Sequence, residues 1–188
     1  GIGLSTVGFG IGNYNDVLLE QLADKGDGRY AYVDTLDEAQ RIFVENLTGT
    51  LQTIARDAKV QVEFNPAVVS RFRLLGYENR DLADDQFRDD TVDAGEVGAG
   101  HSVTALYEVK LQDGAELIDG NALTVYVRYL EPDTLQAVEQ SQALARAQFL
   151  PAFESASPEF RLAAVAAEFA EILRGSYWAK ESTLTGVL

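Results

Sequence analysis

Apolar residues along the chain change their period twice, from helical to alternating near residue 58 and back to helical after residue 156. Residues 2–9 (Ile-Gly-Leu-Ser-Thr-Val-Gly-Phe) form a short apolar and β-branched run closed by Gly10 and Gly12, which predicts a buried strand ending in a turn. Asn15 is a good N-cap before Val17, Leu18, Leu19, Leu22 and Ala23 at helical spacing, and Gly26 and Gly28 stop that helix. Residues 29–33 (Arg-Tyr-Ala-Tyr-Val) read as a second strand. Thr35 and Glu38 form a capping box that opens a long helix with an apolar stripe of Leu36, Ala39, Ile42, Phe43, Leu47, Leu51 and Ile54, weakened locally at Gly49. Strand–helix–strand–helix is the signature of a parallel α/β unit. The strands of such sheets are covered on both faces, so residues 1–57 are expected to be the end of something larger.

Beyond residue 58 the pattern alternates, with Val60, Val62 and Phe64 on one face and Lys59, Gln61 and Glu63 between them. Asn65-Pro66 turns the chain into a strand over 69–77, a polar glycine-rich stretch fills 79–100, and strands follow at 102–111 and 122–130. Such a run of strands predicts an antiparallel sheet or sandwich. Residues 133–150 are ambiguous: propensity favours a helix, but the apolar positions form no clean stripe. Ser157-Pro158 then opens a helix with Leu162, Val165, Ala166, Phe169, Ile172 and Leu173 on one face, ended by Gly175. The chain thus divides into an incomplete α/β part (1–57), a β-sheet domain (58–156) and a C-terminal helix and tail (157–188). The first boundary is expected within residues 54–59.

Charge narrows the range of partners. Thirty acidic residues against 15 basic ones give a net charge of −15, and such a surface repels phosphate backbones and anionic lipid. Nucleic acid and membrane surfaces are therefore not expected partners, and the acidic excess reads first as a means of solubility. The absence of cysteine excludes disulfides, thiolate catalysis and Cys-ligated zinc. No apolar run approaches the roughly 20 residues of a membrane helix, and no signal peptide is visible. With no methionine and an abrupt start at Gly1, the natural N-terminus is expected to lie upstream.

Several segments carry a family resemblance. They are 5–10 (Ser-Thr-Val-Gly-Phe-Gly), 12–16 (Gly-Asn-Tyr-Asn-Asp), 21–26 (Gln-Leu-Ala-Asp-Lys-Gly), 47–54 (Leu-Thr-Gly-Thr-Leu-Gln-Thr-Ile), 60–66 (Val-Gln-Val-Glu-Phe-Asn-Pro), 92–107, 160–164 and 173–176. Together they resemble the end of the von Willebrand factor type A (VWA) domain and the C-terminal domain of YfbK-type bacterial VWA proteins. The resemblance implies the last two βα units of a doubly wound, Rossmann-like sheet followed by a β-sandwich-like domain. It also implies an Mg²⁺ site in the intact VWA domain, held by an Asp-x-Ser-x-Ser motif, a Thr and a further Asp, with the bound partner donating a carboxylate oxygen. No Asp-x-Ser-x-Ser occurs in this sequence, so no metal ligand is assigned to any of its residues. In a wound sheet the ligand crevice lies at the carboxyl ends of the strands. Gly10, Gly12, Asn13, Tyr14 and Asn15 are accordingly expected to border the cation site without coordinating it. An extracytoplasmic location, with lipid anchoring as one option, is likewise implied.

Other candidate chemistry is thin. Glycines at 8, 10 and 12 do not make Gly-x-Gly-x-x-Gly, and no P-loop lysine follows. His101 is the sole histidine, so a multi-histidine metal site is excluded, and adjacent Ser102 would face the other way on a strand. The acidic residues of 84–96 offer oxygen ligands for Ca²⁺ but lack the EF-hand pattern and read as a solvated loop. Tyr30, Tyr32, Tyr126 and Tyr129 are expected to pack in strands rather than form a sugar platform. The function expected is a non-enzymatic interaction or adhesion module with no catalytic, cofactor or metal residue of its own. A structural or assembly role in the cell envelope comes second, and a hydrolase comes last for want of a nucleophile–base pair. Strands 2–9 and 29–33, without the upstream strands, leave an apolar edge open, to be covered either by a separate polypeptide carrying the missing half or by a second copy.

Overall fold

The computed structural model describes residues 3–10, 15–26, 28–45, 52–77 and 82–187. Strands β1 (Thr6–Phe9) and β2 (Tyr30–Val33) pair in parallel, with Thr6 opposite Tyr30 and Phe9 opposite Val33. Helix α1 (Asp16–Asp24) crosses between them. Asn15 caps it as the sequence predicts, its Oδ1 accepting the Leu18 N–H at 3.0 Å, and the Thr6 hydroxyl ties helix to strand by donating to the Leu19 carbonyl at 2.7 Å. The glycines after the helix are set by close approach. A Cβ on Gly28 would lie 2.0 Å from the Leu4 carbonyl oxygen, and one on Gly26 2.6 Å from the Leu4 Cβ, so only hydrogen fits where the lead-in to β1 crosses this turn.

Helix α2 (Leu36–Gln40) starts on half of the expected capping box. Thr35 Oγ1 accepts the Glu38 N–H at 3.2 Å, but the Glu38 carboxylate turns to Arg41 at 2.9 and 2.5 Å. The long helix expected from here to Ile54 is cut short. After five residues α2 gives way to a π turn over Arg41–Glu45, and Leu47, Gly49 and Leu51 lie outside the described residues. By Thr53 the chain is in strand β3 (Thr53–Phe64).

Strands β4 (Val69–Leu75), β5 (Gly95–Gly98), β6 (Leu106–Leu111), β7 (Asn121–Leu130) and β8 (Ala137–Ala145) complete the β part. They form a four-stranded sheet ordered β5-β3-β7-β8 and a two-stranded β4-β6 pair, with β3–β5 and β4–β6 antiparallel. Residues 137–145, ambiguous in the sequence, are a strand paired to β7 at the sheet edge. The glycine-rich stretch contains β5, which edges the sheet on its other side. The alternation in β3 also slips, because Asp57 at φ +49° makes a bulge between Ala55 and Ala58 and re-aims the residues just after it. Lys59 is consequently buried and Val60 exposed, the opposite of the sequence expectation.

The chain forms two compact units. One comprises Gly1–Val60, Asp84–Ser102 and Val127–Gln140, the other Gln61–Ala83, Val103–Tyr126 and Ser141–Leu188. In the first, Ala23, Val33, Ala55 and Phe87 are buried. In the second, Val68, Val69, Ala115 and Ala122 form the core, with Phe64, Val109, Leu111 and Phe149 against them. Phe64 stacks on Phe72 at 4.4 Å and meets Tyr107 edge-on at 5.4 Å.

Helix α3 (Pro158–Leu173) also belongs to the second unit, followed by the short α4 (Leu184–Val187). Ser157 Oγ accepts the Phe160 N–H at 3.2 Å with Pro158 in the first turn, and Gly175 at φ +66° ends the segment. The inner face of α3 carries small residues, Ala163, Ala164 and Ala167, around buried Glu171, whereas Leu162 and Leu173 are 71% and 66% exposed. Mixed α/β architecture with antiparallel sheets and a C-terminal helix is therefore what the chain adopts. Its parallel part holds two strands among the described residues.

Candidate interaction surfaces

The carboxyl ends of β1 and β2 and the start of α1 meet at one end of the parallel pair. Gly10 leaves β1 at φ +84°. Its carbonyl accepts the Tyr32 hydroxyl at 3.0 Å, and its N–H donates to the Val33 carbonyl at 3.4 Å. Asn15 caps α1 here, and Asp16, in the first turn of the helix, accepts a short hydrogen bond from the Tyr30 hydroxyl. Of the expected rim residues, Gly10 and Asn15 thus stand at this end, whereas Gly12, Asn13 and Tyr14 lie outside the described residues. Phe9 stacks on Phe43 with centroids 6.3 Å apart and planes 4° from parallel. Both rings remain open to solvent, at 60% and 47% exposure, and Leu36, at the start of α2, is 86% exposed. Such a surface gains most from burial against another apolar surface.

The acidic stretch is organised by cations of the chain itself. Buried Lys59, 4% exposed, donates to the carbonyls of Asp89 at 2.5 Å and Gln86 at 3.5 Å. Asp90 pairs with Arg128 at 2.9 Å, and Glu139 receives Arg88 at 2.7 Å and Arg128 at 3.3 Å. The Asp89 carboxylate caps Thr91 through its N–H and hydroxyl, at 2.9 and 2.7 Å, which holds its pKa below the usual carboxylate range, with the Lys59 charge adding to the effect. Among the described residues no three His, Asp or Glu side chains group around a point suited to a metal ion.

A second charged knot sits under α3. Glu171, 6% exposed, accepts from Arg73 at 3.0 Å and from the Ser176 hydroxyl at 2.8 Å, and pairs closely with Arg174. Arg73 also reaches Glu108 at 2.6 Å and lies 5.1 Å from the Trp178 ring centroid. Burial pushes the Glu171 carboxyl up, but the bonds from Ser176 and Arg73 and the charges of Arg174 and Arg73 outweigh it and leave it below its ordinary value. Elsewhere in this unit, Glu63, Asn65, Asn121 and Thr124 edge a shallow depression of about 260 Å³. The Asn65 side chain is occupied in shaping the chain there, donating to the Asn121 carbonyl at 2.8 Å and accepting the Ala67 N–H at 3.0 Å. Tyr126 donates to Glu63 at 3.2 Å.

His101 follows β5 in a turn, its Nδ1 accepting the Gly98 N–H at 3.0 Å and its Nε2 against the Arg29 guanidinium. Partial burial, then the Arg29 charge, hold its pKa below the ordinary imidazole value. Lys59, Arg29, Arg73 and Glu171 were passed over in the sequence. Glu171 had a readable signal, because it falls at i, i+4 and i+7 from Ala167 and Ala164 on the small-residue face of the helix. Lys59 had none, since one bulge residue decides its side.

No described helix is long and apolar enough to cross a membrane. The family described as "Uncharacterized protein YfbK, C-terminal" matches residues 49–188. The chain is 36% identical over 193 residues to "Uncharacterized protein YfbK" of Escherichia coli (strain K12), a match covering 94% of this chain and 32% of that protein. The chain thus spans about a third of the relative's length. No solved structure matches.

Proposed function

We propose, from the premise that this chain belongs to the YfbK C-terminal family, that it is a non-enzymatic protein–protein interaction module. In this reading residues 3–45 are the margin of a VWA-type sheet, and the cation that such a domain uses, Mg²⁺, is held by residues outside this sequence. The stacked, solvent-open Phe9–Phe43 pair at the carboxyl end of β1 carries the reading, because that end of a wound sheet is where ligands bind. Gly10 and Asn15 shape the rim, through backbone conformation and helix capping. A second reading, an assembly domain of a cell-envelope complex, is favoured by the outward face of α3. There Leu162, Ala166, Phe169 and Leu173 repeat at spacings of four, three and four residues and are all exposed, the pattern of a helix that packs on another helix.

Site-specific photo-crosslinking in the full-length protein tests both readings. A photoreactive residue at Leu36 or Val44 is expected to yield a discrete adduct with another polypeptide, and one at exposed Glu131 to yield none. Adducts from Leu162 with none from Leu36 or Val44 favour the assembly role. Absence of a discrete adduct at all three sites contradicts both.

A further inference from the structure

We infer that Arg29 and His101 form an oxyanion site, in which a carboxylate or phosphate group bridges the guanidinium and the imidazole Nε2–H. His101 Nδ1 accepts the Gly98 N–H at 3.0 Å, so that nitrogen bears no proton and the neutral ring carries its proton on Nε2. Nε2 faces Arg29 Nη1, and a guanidinium has five donors and no acceptor. Two N–H groups therefore point at one another. An arrangement of this kind is satisfied when an acceptor enters and both donors turn to it.

Arg41, Arg73, Arg88, Arg128 and Arg174 each pair with a carboxylate. Arg29 is one of several arginines, with Arg56, Arg71, Arg146 and Arg161, that lack a carboxylate partner among the described residues. Its other contact is a long one, from Nη2 to the Glu96 carbonyl at 3.5 Å. Both donors are held in place by backbone bonds. The Arg29 N–H donates to Ser5 Oγ at 3.2 Å and its carbonyl accepts the Thr6 N–H at 2.7 Å, while the His101 N–H donates to the Gly98 carbonyl at 3.1 Å across a turn with Gly100 at φ +79°. The groups hydrogen-bonded to the ring are thus Arg29, just before β2, and the backbone N–H of Gly98 in β5. A fork of guanidinium donors beside one imidazole N–H suits the paired oxygens of a carboxylate or phosphate. This inference is independent of the VWA reading.

The sole histidine makes the test clean. Proton–nitrogen NMR on the chain reads both the His101 tautomer and its titration, in chloride and in acetate or inorganic phosphate at matched ionic strength. The expected result is an Nε2–H tautomer and an upward, saturable shift of the His101 pKa, by about half a unit or more, in at least one of the two anions. A response to acetate alone assigns a carboxylate ligand, and one to phosphate alone a phosphate ligand. Arg29→Gln is expected to abolish the response and Arg29→Lys, which keeps the charge, to retain part of it. An Nδ1–H tautomer, or the same titration in chloride, acetate and phosphate, overturns the site. The wild-type series decides this even if a variant fails to fold.

Discussion

Removing the Glu171 carboxylate tests the energetics of the second unit where charge is buried most deeply. The side chain is 8% exposed and holds Arg73 at 3.0 Å and the Ser176 hydroxyl at 2.8 Å, with Arg174 close by. Breaking a buried ion pair costs about 3–5 kcal/mol when the other charge is stranded. Here the strand is partial, because Arg73 keeps Glu108 at 2.6 Å and Arg174 is 44% exposed and can hydrate. Glu171→Ala is therefore expected to cost about 2–3 kcal/mol, near the range for hydrogen bonds to charged groups. Glu171→Gln, which retains an acceptor for Ser176, is expected to cost about half of that. Urea unfolding followed by fluorescence of Trp178, the only tryptophan and 5.1 Å from the Arg73 guanidinium, reads this unit directly. Because the carboxyl is held below its ordinary pKa, its contribution is complete above about pH 5 and disappears as the pH falls through the folded-state value. The wild-type and Gln proteins should accordingly converge in acid. An Ala variant within about 0.5 kcal/mol of wild type at neutral pH refutes the reasoning, placing it with ordinary surface substitutions.

Gly28→Ala is expected to cost about 1–3 kcal/mol, because its methyl would sit 2.0 Å from the Leu4 carbonyl oxygen; faster amide exchange across β1 and β2 is the readout, and unchanged exchange counts against the packing described. Lys59→Met keeps the stem but loses the donors to Asp89 and Gln86, so residues 84–98 should exchange faster and stability fall by about 1–3 kcal/mol. The pKa of His101 is depressed by burial and by Arg29, so its contribution is present above about pH 6.5 and lost as the pH falls through the folded-state value. In chloride, His101→Gln should flatten the urea midpoint over that window, and an unaltered slope would show that another group titrates there.

Features decided by neighbouring residues were legible in the sequence. Asn15, Thr35 and Ser157 act as caps as read, since a cap needs only its own side chain and the next turn of backbone. What was misread or ambiguous depended on partners distant in the chain. Residues 137–145 (Ala-Val-Glu-Gln-Ser-Gln-Ala-Leu-Ala) suit a helix locally and become a strand by pairing with β7. Ile54 continued a helical stripe, yet Thr53 pairs with Gly98, 45 positions on, which draws the segment into a sheet. The bulge at Asp57 turned Lys59 inward, and a period-2 pattern cannot reveal one inserted residue. Gly10 as a turn residue and Asn15 as a cap were legible from local chemistry; a binding rim at these positions is part of the proposal. The Arg29–His101 approach joins residues 72 positions apart and leaves no mark on local sequence.

The central claim is that residues 3–45 form the margin of a larger parallel sheet and serve binding. Amide exchange at Thr6–Phe9 and Tyr30–Val33 tests it most directly, compared between this 188-residue chain and a polypeptide extended upstream to the length of the Escherichia coli relative. The account predicts weak protection of both strands in the short chain and slowing by about tenfold or more in the longer one, equivalent to at least about 1.4 kcal/mol. Equal and strong protection in both would mean that the two strands are complete as they stand, and would contradict it.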